Sequence, residues 1–391
     1  MGFARSQGDF VMGFSKNEFP QSFDRLSNDL RPILEGDIMP RCARSETVDP
    51  LSPQFVHVWN RCVRRAFLCG RDRYSGKSFE HRRIWARKRI EHLASCFGID
   101  VITFAIMSNH THQVLKTRPD VVATWDDRTV AVRWLSIDPK KRNVKLVQPT
   151  EAEINMILSD REQVALLRRR LSDVSWWMRC FAQHISWRAN REDDVTGHFW
   201  ESRFCHEVIT DQASLLACMI YVDLNPIRAG MANTAEESDF TGIKQRIDDL
   251  RIRLGKSDFE PDNSRANSRD LHAWERLDNV ANEYSGWLSP IEIDETDDPL
   301  GADAEPNGRR CSRKGVLTMS VLRYIDLVEW CGREIRSDKR GSIPSDLSPI
   351  LGRLGLDGQT LIGGVLKSGN RLQAAESLSS VSTCDFAAPA T

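Results

Sequence analysis

The sequence has no apolar run that approaches the roughly 20 residues needed to cross a bilayer. It contains ten cysteines but no CxxC pair, so a cysteine-based zinc module is not expected. Neither sign of charge dominates, because 54 lysines and arginines face 55 aspartates and glutamates. A protein held on nucleic acid by its total charge is therefore excluded, and any such surface must be local.

Tyrosine is scarce, with four residues among 391, so each phenol can be considered individually. The N-terminus lacks the continuous apolar stretch and the small-residue cleavage site of a signal peptide, and the scattered cysteines are typical of reduced thiols. We therefore expect a cytoplasmic protein without a membrane partner. The length predicts two or three folded units, at roughly 150 residues each.

The order of predicted elements favours an α+β domain with an antiparallel sheet and helices packed on it. Periodicity and turn residues predict strands and helices along the first two thirds of the chain. The predicted elements are strands at 53–70, 99–107, 110–116 and 197–209, and helices at 78–98, 160–190 and 211–225. Asp211 is expected to cap the last helix, and Pro226 is expected to end it.

Composition divides the chain into five segments. The last third of the chain, beyond Ser257, changes from polar to acidic and then back to an apolar, helical pattern. The predicted segments are a loosely ordered lead-in (1–50), a catalytic domain (51–250) with an irregular insert (117–160), a polar and acidic linker (251–315), a small α-helical domain (316–380) and a tail (381–391).

His110 and His112 lie two residues apart in a predicted strand. Residues i and i+2 of a strand face the same side, about 6–7 Å apart, so two imidazoles in this arrangement can hold one divalent cation. Thr111 would face the other side. The alternative interpretation is a pair of surface or partly buried histidines without a ligand.

Tyr221 and Asn225 lie four residues apart in a predicted helix and therefore share a face. A phenol with a pKa near 10 is a poor nucleophile at neutral pH unless a metal or a base activates it. On pattern alone, an interfacial tyrosine and a helix-terminating asparagine before Pro226 are the simpler interpretation.

Residues 61–92 contain eleven basic and three acidic residues, a net charge of +8 in a chain whose total is −1. Such a density of lysine and arginine suits phosphate contacts, and interleaved aromatic residues suit unstacked bases. The alternative is a solvated helix face. Trp176, Trp177 and Trp200 are expected to pack in the core. The candidate DNA-contacting residues are Arg61, Arg64, Arg65, Arg82, Arg83, Arg87, Lys88 and Arg203.

Two segments resemble a known family when they are taken together. MSNHTHQVL (107–115) resembles the His-hydrophobic-His ("HUH") segment of the single-tyrosine transposases. GHFWESRF, followed by LLACMIYVDLNPIRAGM, resembles the tyrosine helix of the REP-associated tyrosine transposase branch. In that branch a tyrosine stands five residues before the proline of an Asn-Pro pair, as Tyr221 stands before Pro226. The resemblance covers roughly residues 50–250.

The resemblance implies a ferredoxin-like fold and a chemistry. His110 and His112 would hold Mg²⁺ or Mn²⁺ against the scissile phosphate of single-stranded DNA, with Asn225 as a third ligand. Tyr221 would attack that phosphate and leave a 5′-phosphotyrosine and a free 3′-OH, which permits strand transfer. The family also implies binding of hairpin DNA ends, association with the nucleoid, and either a monomer or a homodimer.

Two other functions stay open at this level. A relative that binds hairpin DNA without cutting it would be a catalytically silent regulator, although the intact His110, His112 and Tyr221 argue against such decay. A metal hydrolase that activates water would need the cation but no tyrosine. The sequence departs from the family in the polar Thr111 and in the insert at 117–160, and the compact family core does not explain 316–380.

Overall fold

The computed structural model describes most of the middle of the chain. The described residues are 48–63, 68–72, 75–139, 141–142, 145–146, 148–256, 286–293, 308–335 and 339–354. The predicted tail and nearly all of the predicted lead-in lie outside these ranges. Within them, no helix combines the length and apolar character that a membrane span requires.

The described residues form six strands and ten helices. The strands are β1 (Phe55–Arg61), β2 (Ile99–Ile106), β3 (His110–Thr117), β4 (Lys141–Arg142), β5 (Lys145–Leu146) and β6 (Cys205–Ile209). The helices are α1 (His81–Cys96), α2 (Pro119–Thr124), α3 (Asp127–Ser136), α4 (Glu151–Leu158), α5 (Arg161–Leu171), α6 (Val174–Asp193), α7 (Gln212–Arg228), α8 (Gly242–Lys256), α9 (Val321–Arg333) and α10 (Ile350–Arg353).

A four-stranded antiparallel sheet with the spatial order β2-β3-β1-β6 lies at the centre. Helix α1 connects β1 to β2, a hairpin connects β2 to β3, and α6 precedes β6. This β-α-β-β-α-β connectivity is that of a ferredoxin-like fold. The predicted fold class, an antiparallel sheet with packed helices, is therefore confirmed.

One face of the sheet packs against α1 and α6. Val56 and Val58 of β1 are fully buried on this face, because a strand alternates its side chains between two sides. The indole of Trp177 from α6 donates to the Gln113 amide oxygen of β3 at 2.9 Å, which satisfies two buried polar groups.

The other face is covered by α7 and α8, which follow the last strand. Thr103 of β2 donates its hydroxyl to Asp223 of α7 at 2.6 Å. Gly242, the first residue of α8, approaches the same strand so closely that a Cβ there would lie 2.0 Å from the Thr103 hydroxyl oxygen. Only glycine permits this approach without displacing the helix.

The predicted helix over 160–190 is two helices, α5 and α6. Asp173 accepts a hydrogen bond from the backbone N–H of Ser175 and starts α6, just as Asp160 starts α5 by accepting from Glu162 and Gln163. An aspartate cap satisfies the first backbone donors of a helix and thereby fixes its starting point. The local capping preference of Asp173 therefore outweighs the continuous helical periodicity.

The prediction that residues 117–160 are irregular is wrong. This segment contains α2, α3 and α4, together with the short β4–β5 hairpin. Pro119 stands in the first turn of α2, where its missing N–H costs nothing. Asp126 caps α3, and Thr150 forms a reciprocal capping box with Glu153 at the start of α4.

Two element ends differ from those expected. Helix α7 begins after Asp211, which caps it as predicted, but it continues through Pro226 to Arg228. Proline removes one N–H donor there, and the last turn is held from outside, because the Arg228 guanidinium donates to the backbone oxygens of Cys331 and Glu334. The strands predicted at 53–70 and 197–209 are shorter, covering Phe55–Arg61 and Cys205–Ile209.

The described parts of the segment predicted as a linker are packed rather than solvated. Leu288 is fully buried, and the N–H of Ser289 donates to Val101 of β2. Ser312 is also buried, where its hydroxyl contacts both Asp100 and Arg118. Helix α9 then packs against α7 and α8, so the described C-terminal residues extend the layer on that side of the sheet.

Candidate functional site

The sheet register brings the two sequence-predicted histidines to the ends of the central strands. His112 pairs with Trp59 of β1, and His110 pairs with Arg61. All four side chains alternate onto the face that α7 covers. The candidate site therefore lies between the β1–β3 strand pair and the middle of α7.

Three of the side chains singled out from sequence lie together. The rings of His110 and His112 are 5.0 Å apart between centroids, and the rings of His112 and Tyr221 are 5.8 Å apart and perpendicular. Asn225 stands one turn beyond Tyr221 on the same helix face. The arrangement gathers two imidazoles, a phenol and an amide.

A third histidine, His57, belongs to this group, and the sequence motifs gave no reason to select it. His57 Nε2 lies 3.1 Å from His112 Nδ1, and the two rings stack with centroids 5.2 Å apart. His57 also stacks on Trp59, with ring centroids 4.9 Å apart. In the sequence, only the alternation of side chains along β1 could have pointed to His57, because His57 and Trp59 share the face that carries Arg61.

The three histidines are held in their neutral form by burial. Removal from water disfavours the imidazolium and lowers the pKa of His57 to about 3. Burial, followed by the nearby Arg61 guanidinium, lowers the pKa of His110 to about 4. Burial and the charges of His110, His57 and Arg61 together hold the pKa of His112 well below its ordinary value. Neutral imidazole is the form that binds a metal ion.

Hydrogen bonds set which ring nitrogens can face a cation. His110 Nδ1 lies 2.7 Å from the Asn109 amide oxygen, which can only accept, so that nitrogen carries the proton and Nε2 keeps its lone pair. With His112 Nδ1 donating to His57 Nε2, His112 Nε2 keeps its lone pair as well. A metal-binding histidine characteristically has its second nitrogen fixed in this way.

The candidate third ligand of the metal site is the side-chain amide of Asn225. Within the part of the chain that the structure describes, no group of three or more His, Cys, Asp and Glu residues could hold a metal ion. Asn225, however, has a buried side-chain nitrogen without a hydrogen-bond partner. That nitrogen is a donor and cannot bind a cation, so only the amide oxygen of Asn225 could serve as a third ligand. Two imidazole nitrogens and one amide oxygen are ligands that could hold a divalent cation which also retains waters.

Asp223, between Tyr221 and Asn225, anchors α7 from the opposite side. Its carboxylate accepts from the Thr103 hydroxyl at 2.6 Å, from the Ile243 N–H at 3.0 Å and from the Tyr324 hydroxyl. Burial raises its pKa to about 6 despite these donors. One side chain therefore joins β2, α7, α8 and α9 behind the candidate nucleophile.

The predicted DNA-contacting residues divide into four sets: exposed, partly buried, fully buried, and outside the described residues. Arg61 and Arg203 are exposed and have no ion pair in the described chain, so both can contact a phosphate. Lys88 is also exposed, whereas Arg83 and Arg87 are partly buried against Cys69 and Gln245. Arg64 and Arg65 lie outside the described residues.

Arg82 must be removed from that set, because it is fully buried. Its guanidinium donates to Glu192 at 2.8 Å and to Asp193 at 2.6 Å, and it lies over the Phe79 ring at 4.2 Å. A buried arginine with two carboxylate partners stabilises the α1–α6 contact and cannot reach DNA. The helical spacing of the basic stretch could not distinguish this inward position from the outward ones.

The buried histidines predict a loss of stability in acid. An unfolded histidine binds a proton below its ordinary pKa of 6.5, whereas folded His57 does so only near 3. Its contribution is therefore complete above pH 6.5 and is lost as the pH falls toward 3. Between pH 7.5 and 5.0 it amounts to about 2 kcal/mol.

Urea unfolding of His57→Phe and His57→Gln at these two pH values is the measurement, because neither residue titrates in this range. We expect both variants to lose about 2 kcal/mol less than the native protein over this pH interval. An unchanged pH dependence in both variants would contradict the assignment of His57 as a buried neutral group.

Comparison with known proteins finds a distant similarity to a solved structure. No family model matches the chain, and no curated protein matches it. A solved structure of a REP-associated tyrosine transposase bound to a REP hairpin is similar to it, with 9% identity and a TM-score of 0.29. The likeness covers 50% of this chain and 79% of the other. At so low a TM-score it supports neither a shared mechanism nor a shared ligand.

Proposed function

We propose that this protein nicks and rejoins single-stranded DNA through a covalent bond to Tyr221. The single observation that carries the proposal is the convergence of the His110–His112 pair on Tyr221, since the rings of His112 and Tyr221 are 5.8 Å apart. Histidines from a sheet and a phenol from a helix meet here across a long stretch of sequence. Their resemblance to a tyrosine transposase motif gives this convergence its chemical meaning.

The proposed step is a phosphoryl transfer, in which one O–P bond forms as another breaks. Tyr221 Oη attacks the scissile phosphorus, the new O–P bond forms as the P–O3′ bond breaks, and the phenolic proton is lost to water. The departing oxygen takes up a proton and becomes a free 3′-OH, while the 5′ side stays on the tyrosine. Attack by another 3′-OH reverses the step and releases Tyr221, so joining needs no further energy source.

His110, His112 and Asn225 would hold Mg²⁺ or Mn²⁺ beside that phosphate. A bound divalent cation supplies polarisation of the phosphoryl oxygen and offsets the charge that develops during displacement. The exposed Arg61, which pairs with His110 in the sheet register, would add a second positive charge for the DNA backbone. Arg203 would contribute in the same way from the segment that precedes β6.

The test is incubation of the full chain with a pool of single-stranded oligonucleotides and Mn²⁺, followed by a denaturing gel. A protein band shifted by covalently attached DNA is expected. Binding without any shifted band in Mn²⁺ would favour a catalytically silent hairpin-DNA regulator. Cleaved DNA without a shifted band would favour a hydrolase that activates water.

The proposed ligands predict the metal affinity independently of catalysis. His110→Ala and His112→Ala should each weaken Mn²⁺ binding by roughly tenfold or more, because a coordination bond is lost. Asn225→Ala should weaken it less, since a water can replace a neutral amide oxygen. Titration calorimetry without DNA measures all three.

The matched control for these variants is His206→Ala. His206 lies in the same sheet, but in β6 it alternates with Cys205 and Glu207, so its side chain belongs to the opposite face. Its removal should leave the affinity for Mn²⁺ unchanged. Equal affinities in His112→Ala and in the native protein would remove the metal from the proposal.

A further inference from the structure

Helix α6 has an outer face built from tryptophan and arginine. Its inner face carries the buried Trp177, Phe181 and Ile185. The opposite side of the helix carries four residues separated by three, eight and four positions, and these steps return to nearly the same side of an α-helix. We call this surface the Trp–Arg face of α6; it consists of Trp176, Arg179, Trp187 and Arg191.

The arginines of this face lie on the aromatic rings. The Arg179 guanidinium is 4.7 Å from the Trp176 ring centroid, and that of Arg191 is 5.5 Å from the Trp187 centroid. Trp187 is 64% exposed, which is unusual for the largest apolar side chain. Two neighbouring pairs extend the pattern, with Arg170 4.1 Å from the Trp176 ring and Arg188 3.8 Å from the Trp85 ring.

These arginines form no ion pair among the described residues, although other arginines of the same layer do. They are Arg170, Arg179, Arg188 and Arg191, of which Arg188 interacts with the charge of Glu192. Glu192 and Asp193, at the end of α6, form their own ion pairs with Arg82 and His81. The surface therefore carries an excess of positive charge in a protein whose total charge is −1.

We propose that the Trp–Arg face of α6 binds single-stranded nucleic acid. The exposed indole of Trp187 offers a stacking platform for an unpaired base, and the partly buried Trp176 contributes the edge of a second one. Guanidinium groups that lie beside the two indoles can reach the phosphates between such bases. A protein partner would need acidic groups to meet the arginines but would have no need for aromatic platforms beside them. Charge and stacking together thus favour a nucleic-acid strand.

The face is separate from the candidate nicking site. Helix α6 packs on one side of the sheet through Trp177 and Gln113, whereas Tyr221 approaches from the other side. Trp176 and Trp187 are eleven residues apart, or roughly 16 Å along the helix axis. This span suits several nucleotides of an extended strand, so the face would hold DNA beyond the part that enters the nicking site.

The experiment measures fluorescence anisotropy of a labelled oligothymidylate of about 20 nucleotides in EDTA, where no metal-dependent chemistry occurs. Arg179→Ala/Arg188→Ala/Arg191→Ala should lower the affinity by roughly tenfold or more and flatten the dependence of log K on log salt by about 2. Trp187→Ala should lower the affinity by roughly tenfold, and Trp187→Phe should restore most of it.

A matched control removes three paired cations, in Arg128→Ala/Lys244→Ala/Arg251→Ala, each of which forms an ion pair with Glu151 or Asp248. That variant should bind as the native protein does. Two results would overturn the proposal. One is an affinity of the Arg179/Arg188/Arg191 variant equal to that of the native protein, and the other is duplex DNA that competes for the protein as well as unlabelled single-stranded DNA does. Tyr221→Phe should bind normally in this assay, so failure of the nicking proposal and failure of this one give different results.

Discussion

Replacing Tyr221 with phenylalanine is expected to abolish the covalent protein–DNA adduct while leaving DNA binding intact. The substitution removes one oxygen, the atom that would form the bond to phosphorus, and it keeps the ring that packs 5.8 Å from His112. Loss of a nucleophile that has no substitute should reduce adduct formation below detection, a decrease of roughly a thousandfold or more. Adduct on a denaturing gel and affinity by anisotropy are the two measurements.

Tyr284→Phe provides the control for this variant, since it removes another of the four tyrosines from a segment predicted as linker. It should form adduct as the native protein does. Peptide mapping of the native adduct should place the DNA on Tyr221. An adduct that persists in Tyr221→Phe would exclude this residue as the nucleophile, even if the metal site behaves as expected.

Replacing Asp223 with alanine is expected to destabilise the fold by about 3 kcal/mol or more. The carboxylate accepts from three buried groups, namely the Thr103 hydroxyl, the Ile243 N–H and the Tyr324 hydroxyl. Each donor left without a partner in the interior costs about 1–3 kcal/mol. Urea unfolding of the native and variant proteins at one pH gives the difference in free energy of unfolding.

Asp223→Asn is the matched variant, because it preserves the shape and one acceptor oxygen. That oxygen can still accept from Thr103 and Ile243, while the amide nitrogen would donate to the Tyr324 oxygen, which is able to reverse its role. We expect the asparagine variant to lose only about 1 kcal/mol. If alanine were tolerated as well as asparagine, the hydrogen bonds by which Asp223 joins β2, α7, α8 and α9 would not contribute to the free energy of unfolding.

The parts of the site that follow local rules could be predicted from the sequence. Positions i and i+2 of a strand placed His110 with His112, and positions i and i+4 of a helix placed Tyr221 with Asn225. His57 could not be found in this way. Its contact with His112 depends on the β1–β3 register, which joins residues 55 positions apart.

The basic stretch illustrates the same limit for charge. Nothing in the local sequence distinguishes Arg82, which is fully buried, from Lys88, which is exposed. Arg82 is fixed by Glu192 and Asp193, which lie about a hundred residues further along the chain. Capping, in contrast, is local. Asp173 and Thr150 are residue types that start helices, so the sequence could have shown where α6 and α4 begin. The prediction of one long helix over 160–190 gave too much weight to periodicity.

The bond between Tyr324 and Asp223 joins residues 101 positions apart, and this separation has a consequence for synthesis. At about 5–20 residues per second, the ribosome adds Tyr324 roughly 5–20 s after Asp223. Throughout that interval the helix carrying Tyr221 lacks its last hydrogen-bond donor. A chain that stops before α9 would present the phenol on a helix whose buried carboxylate is incompletely satisfied. The third hydrogen bond that anchors the helix of the proposed DNA-cutting residue can therefore form only after α9 has been synthesised.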